Sequence, residues 1–208
     1  MSIYKVKSDG TGVIPRWVPF LALFDNGFEN NTDLLRVKLP SNLRKIGDST
    51  FKGCSSLQEI VIPSEVEEIG NAAFMDCSSL QEIIIPSSVM KLGNSVFWGC
   101  SNLQKVILSE NITEIPDGAF EECTSLQIIE IPNGVRKIGF DAFHGCSNLK
   151  EIIISSSVEE ICKIANMDSL GFLAVEDLSK LIGEENNNSI CAACFNSQYP
   201  TKIPENNK

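Results

Sequence analysis

Residues 40–62 read PSNLRKIGDSTFKGCSSLQEIVI, and residues 63–85 read PSEVEEIGNAAFMDCSSLQEIII. The pattern continues as PSSVMKLGNSVFWGCSNLQKVIL at 86–108, SENITEIPDGAFEECTSLQIIEI at 109–131 and PNGVRKIGFDAFHGCSNLKEIII at 132–154. Five copies of 23 residues therefore follow one another without insertion. Self-similarity at a fixed period is the mark of a stacked architecture, in which no copy buries its apolar face alone.

Each column of the alignment has a physical role. Leu57, Leu80, Leu103, Leu126 and Leu149 open a short strand, followed by Ile60, Ile83, Val106, Ile129 and Ile152 and, two positions on, by Ile62, Ile85, Leu108, Ile131 and Ile154. A spacing of two places these last two columns on one inward face. Proline or serine then ends the strand, since proline donates no ladder hydrogen bond. A second apolar pair follows, as in Val66 and Ile69, and then Gly70, read as permitting a tight bend. Phe51, Phe74, Phe97, Phe120 and Phe143 close the copies and predict an aromatic spine. The resulting object is a solenoid with a parallel sheet on its concave side and short irregular turns on its convex side.

A worn copy precedes the array. Asp25-Asn26-Gly27-Phe28 aligns with Asp48-Ser49-Thr50-Phe51, and Leu34, Val37 and Leu39 align with Leu57, Ile60 and Ile62. Residues 1–39 are thus expected to be a degenerate N-terminal repeat acting as a cap, because a terminal repeat must present one side to water. The regular repeats are assigned to 40–157 and a separate C-terminal segment to 158–208. In that segment 158–166 reads as a helix, 169–174 as a strand and 175–182 as a second helix ended by Gly183, with a mobile end. A small α/β or helical tail is therefore expected.

The 208 residues are 43% hydrophobic, enough for a packed core. A net charge of -10 argues against a nucleic-acid partner, since an acidic surface repels phosphates. No apolar run approaches the roughly 18 residues of a membrane span. The longest near the N-terminus, residues 17–24, contains Pro19 and lacks a small-residue cleavage pattern, so no export signal is read. His144 is the only histidine and occupies a variable position expected to be exposed, so no nucleophile–histidine pair is in view. Cys54, Cys77, Cys100, Cys123 and Cys146 recur with the repeat. They fit a thiol ladder for redox or metal chemistry, or small buried hydrophobes facing the turn, and the second reading is taken.

The quoted pattern closely resembles the BspA-like subclass of leucine-rich repeats, over residues 40–154. The resemblance implies a leucine-rich-repeat solenoid, no catalysis, a cell-surface or secreted setting, and a protein partner. The tail resembles the C-terminus of amidophosphoribosyltransferase through Val158-Glu159-Glu160-Ile161, Asp168-Ser169-Leu170-Gly171-Phe172-Leu173, and Cys191-Ala192-Ala193-Cys194-Phe195 with Tyr199-Pro200-Thr201. In iron–sulfur members of that family such a cysteine pair helps to hold a cluster; by resemblance these are Cys191 and Cys194. The other two ligands have no counterpart, and neither do the N-terminal cysteine nucleophile and the phosphate loop. The tail is therefore read as a remnant or fusion that could keep a metal or docking role, and no metal or other cofactor is expected.

The candidate binding residues come from the outward strand positions, namely Glu59 and Val61, Glu82 and Ile84, Lys105 and Ile107, Ile128 and Glu130, Glu151 and Ile153. A solvated strand face is normally polar, yet Val61, Ile84, Ile107 and Ile153 form an apolar stripe flanked by charge. Such a stripe marks a contact site for a protein partner, or reflects only the preference of β-branched residues for sheets. Both readings stand at this point.

Overall fold

The structure, a computed structural model, describes residues 4–14, 22–23, 25–154 and 157–161. It is a parallel-sheet solenoid of about six turns, as the repeat predicts. The chain opens with β1 (Lys5–Val6) and β2 (Thr11–Val13), paired as an antiparallel hairpin. Two-residue and longer strands then alternate between two sides of the stack. On the front lie β4 (Arg36–Val37), β6 (Glu59–Ile60), β8 (Glu82–Ile84), β10 (Lys105–Ile107), β12 (Ile128–Ile131) and β14 (Glu151–Ile154). On the second side lie β3 (Ala22–Leu23), β5 (Lys45–Ile46), β7 (Glu68–Ile69), β9 (Lys91–Leu92), β11 (Glu114–Ile115), β13 (Lys137–Ile138) and β15 (Glu160–Ile161). Among the described residues every pairing apart from the opening hairpin is parallel, and residue i meets residue i+23 wherever two repeat strands pair, as in Ile84 with Ile107.

The inward columns form one continuous core, from Phe28 and Leu34 to Leu149 and Ile152. Six phenylalanines, Phe28 to Phe143, stack ring on ring with centroids 5.2–5.6 Å apart. Tyr4 lies tilted over the first ring at 4.8 Å. The spacing of three between Leu57 and Ile60 is reconciled with a two-residue pleat by a bulge. Gln104 and Lys105 both donate their backbone N–H to the Gln81 carbonyl, and Lys150 and Glu151 both donate to that of Gln127.

The turns that carry the phenylalanines are as regular as the strands. Each turn donates three backbone hydrogen bonds to the next: Ser49, Phe51 and Gly53 give their N–H groups to Asn71, Ala73 and Met75 at 2.7–2.8 Å. The same triplet recurs at every junction from residue 26 to residue 144. Two positions per turn adopt left-handed backbone, one column holding Ser49, Ala72 and Ser95, the other Gly53, Asp76 and Gly99. Beside them runs a side-chain ladder. Asp48 Oδ1 accepts the Asn71 N–H at 2.8 Å, and Asn71 Oδ1 accepts the Asn94 N–H at 2.9 Å.

Two local expectations change. Gly70 does not adopt a left-handed conformation. Its role, clearest at the equivalent Gly93, is close approach: a Cβ there would stand 2.3 Å from the Asn71 backbone nitrogen. The helix expected from residue 158 does not begin there, because Glu160–Ile161 is a strand paired with Lys137–Ile138 and Val158 is buried. A seventh second-side strand is thereby formed, so packing in the stack overrides the local helical pattern. The remaining tail expectations, including Cys191 and Cys194, lie outside the described residues.

Candidate protein-binding face

On the front side the inward residues are held by the core, which forces the alternate positions into solvent. Val61 is 73% exposed, Ile84 52%, Ile107 44%, Ile128 52% and Ile153 43%. Glu59, Glu82, Lys105 and Glu130 are exposed as well, and Glu151 is half-buried. The structure thus brings all ten residues expected for the face onto one surface. Each of five consecutive repeats contributes one apolar and one charged side chain. In the fourth the two exchange places, so Glu130 interrupts the apolar column next to Ile153, and Ile128 stands in the charged column next to Glu151. Ile84 stands beside Ile107, while Glu130 stands beside Ile153.

The charge on this face is mostly uncompensated. Lys105 Nζ contacts Glu82 Oε1. Glu59, Glu130 and Glu151 make no ion pair among the described residues. The second side is different, because its charges alternate and neutralise one another. Glu68 Oε1 lies 3.4 Å from Lys45 Nζ and 3.3 Å from Lys91 Nζ, and Arg44 reaches Glu67 at 2.8 Å.

Open depressions run along the front. One of about 620 Å³ lies around Val61 between Arg36, Lys38 and Pro63. Another of about 480 Å³ joins Val61 to Ile84 beside Gln58 and Gln81, and a third of about 530 Å³ lies beside Ile107 and Glu130. Strict alternation misses the glutamine column Gln58, Gln81, Gln104 and Gln127, all exposed on this side. The bulge turns two successive residues outward, and the constant Leu-Gln pair in four copies was its only sequence signal.

The other candidate groups do not assemble into a reactive centre among the described residues. The cysteine column is buried, and each thiol donates to the carbonyl of a phenylalanine in the preceding turn, as Cys100 does to Phe74 at 3.1 Å. Burial pushes the Cys54, Cys100 and Cys146 thiols up to about 12, which suppresses the nucleophilic thiolate. His144 is half-buried rather than exposed, since it sits on the tightly laddered phenylalanine turn. Among the described residues no cluster of three or more potential metal ligands occurs, and no helix is long and apolar enough to cross a membrane.

A parallel-sheet solenoid with a leucine column, an aromatic spine and an outward strand face is a leucine-rich-repeat protein. The chain belongs to the family described as BspA type leucine rich repeat region, which matches residues 22–129 and 113–204. It is similar to a leucine-rich repeat protein of Bacteroides ovatus, with 30% identity and a TM-score of 0.69 over 73% of this chain and 39% of that one. The chain thus spans about two fifths of that relative's length. It is also similar to the T. pallidum leucine rich repeat protein, at 29% identity and a TM-score of 0.74 over 86% of this chain and 92% of that one. A leucine rich cell surface protein from Faecalibacterium prausnitzii matches at 27% identity and a TM-score of 0.51, over 73% of this chain and 54% of its own. No curated protein matches.

Proposed function

We propose that this chain is a non-catalytic scaffold that binds another protein through the front strand face. The observation that carries the reading is one exposed apolar side chain on each of five successive repeats, Val61, Ile84, Ile107, Ile128 and Ile153, each 43–73% exposed. Sheet propensity alone does not account for it. Isolated exposed apolar residues are ordinary, but an exposed apolar side chain on each of five successive repeats, set among charges, is the composition of an interface core with its polar rim. The acidic residues fit the rim and lie too regularly on the repeat for an acid–base pair.

The test is a photocrosslinking side chain placed at Gln104 on the front and, in a second protein, at Lys91 on the second side. In extracts of the source cell, adducts should form from position 104 and be lost when Ile84→Asp and Ile107→Asp are added. Both isoleucines are exposed, so the doubly substituted chain should keep its melting temperature to within a few degrees. Adducts that form equally at Lys91, or that survive the two substitutions, would remove the front face as the binding surface.

A further inference from the structure

The spacing, backbone and charge of the front face constrain the surface that its partner presents. We propose that the occupant of the front face is an amphipathic α-helix lying along the solenoid axis, with an apolar stripe bordered by lysine or arginine. This inference rests on the front face being the binding surface.

Spacing is the first argument. The front face offers one apolar side chain per repeat, four of the five in one column, and neighbouring strands are about 4.8 Å apart. An α-helix returns a side chain to the same face once per turn, about every 5.4 Å. Over the four intervals from Val61 to Ile153 the mismatch is about 2.4 Å, less than half a helical turn. An extended strand repeats its face about every 6.7 Å and slips by about 7.6 Å over the same distance, more than one full repeat of the row. A polyproline helix repeats about every 9.3 Å and matches only alternate rows.

The backbone supplies the second argument. The front face presents side chains alone, because the strand N–H and C=O groups point along the sheet towards neighbouring strands. An extended peptide crossing those strands would press its own unpaired backbone groups against isoleucine, at a cost comparable to lost hydrogen bonds. A helix arrives with its backbone groups already bonded to one another.

Charge is the third. Glu59 and Glu151 lie beside the apolar column and Glu130 lies within it, all without an ion-pair partner among the described residues. Glu82 is shared with Lys105. A stripe bordered by basic residues brings cations within reach of these free carboxylates, whereas an acidic helix would meet like charge. A second copy of this chain presents the same carboxylates and is disfavoured for that reason.

The experiment uses the full chain and a stapled helical peptide of about 18 residues, five turns long, with leucine at i, i+4, i+7 and i+11 and lysine on both flanks. One control has the same composition in strict alternation, and a second replaces every lysine by glutamate. Fluorescence anisotropy should show the helical lysine peptide binding at least about tenfold more tightly than either control. Ile84→Asp with Ile107→Asp should abolish that binding, and Glu59→Gln with Glu151→Gln should weaken it several-fold, as should added salt. Equal binding of the alternating peptide overturns the helix. Equal binding of the glutamate peptide overturns the basic flanks. No binding of any peptide, or self-association of the chain that Ile84→Asp removes, overturns the proposal as a whole. Crosslinks from Gln104 that persist in any of these cases leave the front-face reading standing, whereas their loss would remove that reading as well.

Discussion

The Cys100 thiol lies in the stack with its hydrogen on the Phe74 carbonyl and no water around it. Desolvation is the main reason that its titration is pushed up to about 12 from an ordinary value near 9. The consequence for stability has a definite sign. Below pH 9 the thiol is protonated in both states and its contribution is fully present. Between pH 9 and 12 the unfolded chain loses the proton first, so stability falls as pH rises, at about 1.4 kcal/mol per unit for each such thiol. In Cys100→Ser a hydroxyl donates to the same carbonyl and does not titrate in this range. Urea unfolding at several pH values should therefore show a slope between pH 9.5 and 10.5 that is shallower in the variant by about 1.4 kcal/mol per unit. Identical slopes would mean that the thiol is not buried as described. A constant offset at pH 8 would report only the different size of sulfur and oxygen.

The strands were legible in the sequence because leucine and isoleucine recur where an inward face requires them. The phenylalanine turn was legible as an aromatic column but not as a hydrogen-bonded ladder. Its left-handed positions are held by Ser49, Ala72, Asp141 and Glu122 as well as by glycine, so the residue that usually announces positive φ is often missing. The ten front residues could be placed from alternation alone, whereas the glutamine column needed the bulge. The weak point of the stack was half visible, in Pro116 standing where other copies have glycine. Gly93 and Gly139 donate their N–H groups to Ile69 and Ile115, and proline has none to give to Leu92. Among the described residues no ladder pairing joins β9 to β11 or β10 to β12. The hydrogen bonds that cross this junction are those of the phenylalanine turn, where Ser95, Phe97 and Gly99 donate to Asp117, Ala119 and Glu121, that of the Ser125 N–H to the Ser101 carbonyl, and those of a few polar side chains. Met90 N–H is bonded to Glu67 and Arg136 N–H to Thr113, but Thr113 N–H has no counterpart among the described residues. Its amide should exchange with solvent about tenfold faster than those of Met90 and Arg136, the ratio expected for one net hydrogen bond. Equal protection of the three amides, measured by exchange resolved by NMR, would contradict a weakened third junction.

A stack in which each turn touches only its neighbours transmits stability along one dimension, so its ends matter more than their size suggests. The front face depends on this, because the side chains from Val61 to Ile153 share one surface only while five turns remain in register. At the N-terminal end the hairpin of β1 and β2 lies against β4, with Thr11 and Gly12 opposite Arg36 and Val37. Gly12 lets the hairpin approach closely, since a Cβ there would meet Leu34 and Phe28 side-chain carbons at 2.8–2.9 Å. Tyr4 is 2% exposed, and its N–H donates to the Gly27 carbonyl at 2.7 Å. We expect this hairpin to act as a lid that keeps water off the first ring of the spine. Tyr4→Ala should then cost about 3–4 kcal/mol, as for other large-to-small aromatic replacements in cores. The distribution of that loss is more informative than its size. In a nearest-neighbour stack the first turn, residues 25–39, should open first, with amide protection falling there while residues 63–108 keep theirs. Binding at the front face would then weaken only through its Val61 end. Uniform loss of protection along all turns would mean that the solenoid unfolds as one unit, and that the hairpin serves the whole face rather than its nearest turn.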